Sequence, residues 1–76
     1  MLKIQPLPWQ KLARVFELDG WTLDRTKGDH KAYVKAGFSR PVIIPMWKEV
    51  AVFIIKNNMK TAKMSRERYF ELLNKV

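Results

Sequence analysis

Apolar positions recur along the chain with two periods, and the switches between them mark out six elements. From Trp9 the spacing is helical: Trp9, Leu12, Val15 and Phe16 share a face that ends near Asp19, while Lys11 and Arg14 point away from it. Pro8 suits the first turn of this helix, where an N–H would have no partner, and Gly20 stops it. Trp21 to Thr26 then alternates and reads as a strand, with Trp21 and Leu23 on one face. Lys27-Gly28-Asp29 is a turn. His30 to Ala36 is a second strand, antiparallel to the first. Its facing stays open, because Ala32 and Val34 lie with His30 on one side and Tyr33 lies with Lys31 and Lys35 on the other.

After a turn at Ala36-Gly37-Phe38-Ser39, the run Val42-Ile43-Ile44 within Arg40 to Pro45 makes a third strand. Prolines 41 and 45 restrict its ladder or place it at an edge. A second helix is expected over about Ala51 to Ala62, with an apolar stripe of Val52, Ile55, Met59 and Ala62 beside a basic stripe of Lys56, Lys60 and Lys63. Ser65 is a candidate N-cap for a last helix, Arg66 to Lys75, with Glu67 near its positive end and Tyr69, Leu72, Leu73 and Val76 on its apolar face. Residues 1–8, with Pro6 and Pro8, form an extended lead-in. The order α-β-β-β-α-α predicts an α+β fold, a three-stranded antiparallel meander with helices on one face.

At 76 residues the chain has room for one domain, spanning 1–76. Fifteen Lys and Arg against seven Asp and Glu give a net charge of +8, which points to a polyanionic partner. A hydrophobic share of 47% supports a real core despite that charge. The absence of cysteine excludes disulfides and thiolate metal sites, and a single histidine excludes a His-rich site, so no metal or cofactor is expected. No apolar run approaches the ~20 residues of a membrane span, and no signal-like leader is visible. A soluble, cytoplasmic protein is the expectation.

The inventory for catalysis is small. With Ser39 and Ser65 the only serines, neither in an elbow motif, and no Walker or dinucleotide fingerprint, attention falls on His30, the one side chain that ordinarily titrates near neutral pH. Such a group suits acid/base work on a ribose hydroxyl and a phosphodiester, with neighbouring cations holding the phosphate. Basic residues form two groups. Arg25, Lys27, Lys31, Lys35 and Arg40 surround the hairpin, and Lys56, Lys60 and Lys63 lead on to Arg66 and Arg68. Phosphate contacts by such residues release counterions and favour nucleic acid, while a solvated surface or an acidic protein partner uses the same charges. Trp9, Phe16, Trp21, Phe53, Tyr69 and Phe70 sit at core spacing, and Phe38 and Trp47 lie in connections where they pack over the sheet edge or stack on a base.

These signals occur in a familiar order. Leu18-Asp19-Gly20-Trp21 resembles the helix end, glycine and aromatic that open the hairpin of HicA-type toxins. Arg25-Thr26-Lys27-Gly28-Asp29-His30 resembles the family's R-x-K-G-[S/D]-H segment, and Val42-Ile43-Ile44-Pro45-Met46 with Lys48-Glu49-Val50 resembles its V-x-[V/I]-P and K-E-L. Ala62-Lys63-Met64-Ser65 and Glu67-Arg68-Tyr69-Phe70 resemble its closing connection and helix. Each motif is short, and their order and spacing carry the likeness.

The resemblance implies an mRNA interferase of a type II toxin–antitoxin pair, with a fold similar to a double-stranded-RNA-binding domain and metal-free RNA cleavage by the histidine of the glycine turn. That role falls on His30. Lys27, Gly28, Lys31, Lys35 and Arg40 are then candidates for holding RNA, and a HicB-like antitoxin is the implied protein partner. The chain departs from the pattern at three places: Lys31 stands where many relatives have a second histidine, Lys63 stands where they have a turn glycine, and Ala51-Val52-Phe53 replaces the Pro or Gly that follows K-E-L before the helix. Read without the resemblance, the residues leave three classes open, namely a nuclease, a non-catalytic RNA-binding module, and a basic protein that acts through an acidic partner.

Overall fold

A computed structural model describes residues 2–76; Met1, the first residue of the expected lead-in, lies outside the described residues. The elements follow in the expected order: α1 (Trp9–Leu18), β1 (Thr22–Lys27), β2 (His30–Val34), β3 (Val42–Pro45), α2 (Val52–Thr61) and α3 (Arg66–Leu73). The strands form one antiparallel sheet in the order β1-β2-β3, so the proline-bounded β3 is an edge. The helices pack on one face of the β2–β3 half. All six residues of β1 are exposed, and this strand overhangs the helical layer.

Local chemistry accounts for the ends of the elements. At the close of α1, Trp21 N–H donates to the Phe16 carbonyl and Gly20 N–H to that of Glu17, both at 3.0 Å, with Gly20 at φ +96°. This is a Schellman motif, and its usual apolar clasp is the edge-on contact of Phe16 with Trp21, 6.4 Å between centroids. The same motif closes α2: Met64 N–H donates to Met59 at 2.8 Å and Lys63 N–H to Lys60 at 3.1 Å. Here the left-handed residue is Lys63, at φ +52°. The Ser65 hydroxyl caps α3 by accepting from Arg68 N–H at 3.0 Å. Residues Gly28 and Asp29 join the registered pair Lys27 and His30, and Gly28 at φ +59° in the first turn position fits a type II′ hairpin.

One core cluster runs from Ile4 to Leu72 and includes Leu12, Phe16, Trp21, Tyr33, Ile44, Ile55 and Tyr69. The lead-in joins it: Ile4 is buried, and Leu7 bridges to Val50. One expectation holds in part and one needs correction. Trp21 and Leu23 both lie on the helix side, Leu23 by its pairing with Tyr33, but only Trp21 is covered. Trp21 precedes β1 and is buried as the last residue of the Schellman motif, whereas Leu23 is 48% exposed on the overhanging strand. Phe53 is likewise not a core residue but 66% exposed, because the buried side of α2 runs through Ile55, Asn58 and Met59.

Asp19 fastens the end of α1 to two other elements. Its carboxylate lies 3.1 Å from Arg68 Nε and 3.8 Å from Lys35 Nζ, and accepts from Trp21 Nε1 at 3.3 Å. Lys35 Nζ also donates to the Asp19 carbonyl at 2.7 Å. A carboxylate at a helix C-terminus opposes the helix dipole, and these cations offset that repulsion. Arg68 also bonds Glu71 at 2.8 Å and so holds the Glu71 carboxyl below its usual range.

Candidate active site on the open face of the hairpin

The pairing Lys27↔His30, Arg25↔Ala32, His30↔Pro45 and Ala32↔Ile43 places these residues on one side of the sheet. Side chains alternate, so Lys31, Tyr33 and Lys35 take the other side, towards the helices. Contacts settle the facing that alternation alone left open. Tyr33 is buried in the core, Lys31 Nζ lies 5.6 Å from the Trp9 ring centroid, and Lys35 reaches Asp19 and the Phe38 ring. Ala32 is buried as well, by its place in the central strand, and it floors the open face.

On that face a cleft of about 400 Å³ is lined by Arg25, Lys27, Gly28, Asp29, His30 and Ile43 above Ala32. His30 Nδ1 lies 2.9 Å from Asp29 Oδ1, with both side chains more than half exposed. A carboxylate beside Nδ1 favours the proton on that nitrogen, and the Nε2 lone pair is then available to accept. Gly28 supplies the positive φ of the turn, and a Cβ there would meet open space. Its place is thus set by backbone conformation, and it leaves the rim of the cleft unobstructed.

The structure therefore divides the candidate residues. Lys27, Gly28 and His30 meet in one cleft, joined by Arg25 and by Asp29, whose position against the imidazole the sequence reading did not single out. The only signal for Asp29 was its adjacency to His30 in a two-residue turn. Lys31 lies across the sheet, bonded to Thr26 Oγ1 at 3.2 Å and set over Trp9. Lys35 is engaged at the end of α1. Arg40 lines a different cleft with the end of α2. Phe38 is half-buried, 4.9 Å from the Trp21 ring, and serves packing, whereas Trp47 is 41% exposed. Among the described residues no group of three or more His, Cys, Asp or Glu could hold a metal ion.

A glycine turn that presents one histidine and two cations on the open face of a small antiparallel sheet is the arrangement the family motif would produce. The family described as HicA toxin of bacterial toxin-antitoxin matches residues 9–64, from the first residue of α1 to the end of the second Schellman motif. The chain belongs to the HicA toxin family. No curated protein and no solved structure matches it. Membership makes it a toxin of the toxin–antitoxin kind. No helix among the described residues is long and apolar enough to cross a membrane.

Proposed function

We propose that this HicA-family chain is an endoribonuclease that cleaves mRNA with His30 as its acid/base group, and that a HicB-like antitoxin restrains it. The observation that carries the reading is the cleft itself, where an exposed imidazole has a carboxylate at Nδ1 and Arg25 and Lys27 beside it. His30 Nε2 takes the proton of a ribose 2′-hydroxyl, and the 2′-oxygen attacks the adjacent phosphorus. The bond from phosphorus to the 5′-oxygen breaks, and the departing oxygen takes a proton from water at this open face. The hydroxide so formed takes back the proton held on His30 Nε2, which restores the neutral imidazole. The products are a 2′,3′-cyclic phosphate and a 5′-hydroxyl. Arg25 and Lys27 bind the phosphate and stabilise charge that builds on its oxygens. Asp29 is a positioning residue that favours the reactive tautomer. Lys31 stands across the sheet from this cleft, so a second group from that position has no part in the route.

Wild-type and His30→Ala protein, with folds compared by circular dichroism, would be incubated with end-labelled single-stranded RNA in the presence of EDTA. Cleavage by wild type alone, ending in cyclic phosphate, is expected. Equal cleavage by both, or a product with a 3′-hydroxyl, overturns the route. Binding without cleavage by either protein means a non-catalytic RNA-binding module.

A further inference from the structure

A second concavity, larger than the first, lies at the other end of the β2–β3 pair. It measures about 600 Å³, and Ser39 and Arg40 from the β2–β3 connection face Asn57, Lys60, Thr61 and Lys63 from the end of α2. No acidic side chain lines it, and none of Arg40, Lys60 and Lys63 takes part in an ion pair among the described residues. Arg14, Lys35 and Arg68 are engaged with Glu17, Asp19 and Glu71, while cations elsewhere among the described residues are as free of ion pairs as Arg40, Lys60 and Lys63. What sets this group apart is its convergence on one hollow. Three unpaired cations around one hollow repel each other and are relieved by an anion. Two hydroxyls and an amide add neutral hydrogen-bonding groups suited to phosphate oxygens.

Lys63 supplies a second observation. It is the one described residue other than glycine with a positive φ, +52°, at a helix end where glycine avoids strain. A residue under strain in the wall of a cleft points to a use for its side chain. Interaction with the negative end of α2 accounts for Lys60 and Lys63, but not for Arg40, which a separate connection brings to the same hollow.

We propose that this cleft is a second phosphate-binding subsite, one that holds the RNA backbone away from the bond being cut. The proposal rests on the RNA reading of the His30 cleft. The registered pairs His30↔Pro45 and Tyr33↔Val42 lie three residues apart, about 10 Å along the sheet. The subsite lies beyond the second pair, so a dinucleotide at His30 falls short of it, and only a longer chain occupies both.

The test compares Arg40→Gln/Lys60→Gln with the unaltered chain. Binding of a single-stranded RNA of about 20 nucleotides is measured against salt in a His30→Ala background, which keeps the RNA intact. Affinity is expected to fall about 10-fold, and the salt slope by about 1.4, for two lost phosphate contacts. With His30 present, cleavage of a dinucleotide is expected to be the same in both. Inorganic pyrophosphate, followed by amide NMR, is expected to shift Ser39, Thr61 and Lys63 in the unaltered chain and not in the double variant. Lys63→Gly is expected to melt higher yet bind the long RNA more weakly; a purely structural Lys63 would change melting alone. Equal RNA affinity and slope overturn the subsite while leaving His30-dependent cleavage standing. Pyrophosphate shifts with unchanged RNA binding overturn its assignment to RNA in favour of a small phosphate ligand. A chain that neither binds nor cleaves RNA overturns the nuclease reading itself, and the RNA assignment with it.

Discussion

Lys27 and Lys35 belong to one hairpin, carry the same charge and lie eight positions apart, yet the sheet gives them different work. Lys27 stands on the open face beside His30, exposed and without an acidic partner among the described residues. Lys35 stands on the helix side, half-buried, with Nζ on the Asp19 carbonyl and against the Phe38 ring. One is placed to meet a ligand, and the other fastens the sheet to the end of α1. In a strand the difference between these fates is one step of alternation, and His30 and Lys31 show it at adjacent positions. A basic residue close in sequence to a candidate site is therefore not assigned to it until its face is known.

The contrast is most sharply tested at His30. His30→Ala is expected to lower cleavage by 10²- to 10⁴-fold, roughly 3–5 kcal/mol of barrier, with the melting temperature unchanged because the side chain is exposed. A matching loss of stability would show that the open face, too, is structural.

Lys35→Ala should do the reverse. Loss of its contacts with Asp19 and Phe38 is expected to cost about 1 kcal/mol in chemical denaturation, a charged hydrogen bond discounted for partial exposure. Cleavage below the melting transition should persist. Lost activity at unchanged stability would move Lys35 into the site.

Lys27→Gln is expected to weaken RNA binding several-fold and reduce the salt slope by about 0.7, as one phosphate contact does on a single strand, with stability within about 0.5 kcal/mol. A slope that does not change would remove Lys27 from the cleft's ligand set.

The smallest effect lies in the core under the helix side. The Tyr69 hydroxyl is buried without a protein hydrogen-bond partner, and burial pushes its pKa up to about 12. Ionisation is easier in the unfolded chain, so the stability present below pH 10 is lost as pH rises from about 10 towards 12. Tyr69→Phe is expected to fold within about 0.5 kcal/mol of wild type and to escape this part of the alkaline loss. Melting curves between pH 9 and 11 would check it, and an equally steep loss in the variant would assign the effect elsewhere.

What could be read from the chain follows the range of the interaction involved. Gly20, Ser65 and the Lys27–His30 turn act over a few residues, through φ, a cap or a two-residue loop, and all three mark boundaries that the structure has. The approach of Asp29 to His30 was present only as adjacency, since nothing in a turn sequence says which way two neighbouring side chains lean. Leu23 and Phe53 look like core residues by spacing, and both are exposed because the helical layer stops short of β1 and presses a different side of α2.

The sequence by itself determined the order of the elements, the turn that carries His30 and the basic balance of the chain, because periodicity, turn chemistry and charge are local or additive. Only the tertiary structure decided which side of β2 is covered. Both sides offered apolar groups of similar claim, and Tyr33 prevailed over Val34 because the helices supply a full set of contacts on its side. That choice put Lys31 and Lys35 against α1, left His30 and Lys27 in the open, and carried Arg40 to the end of α2.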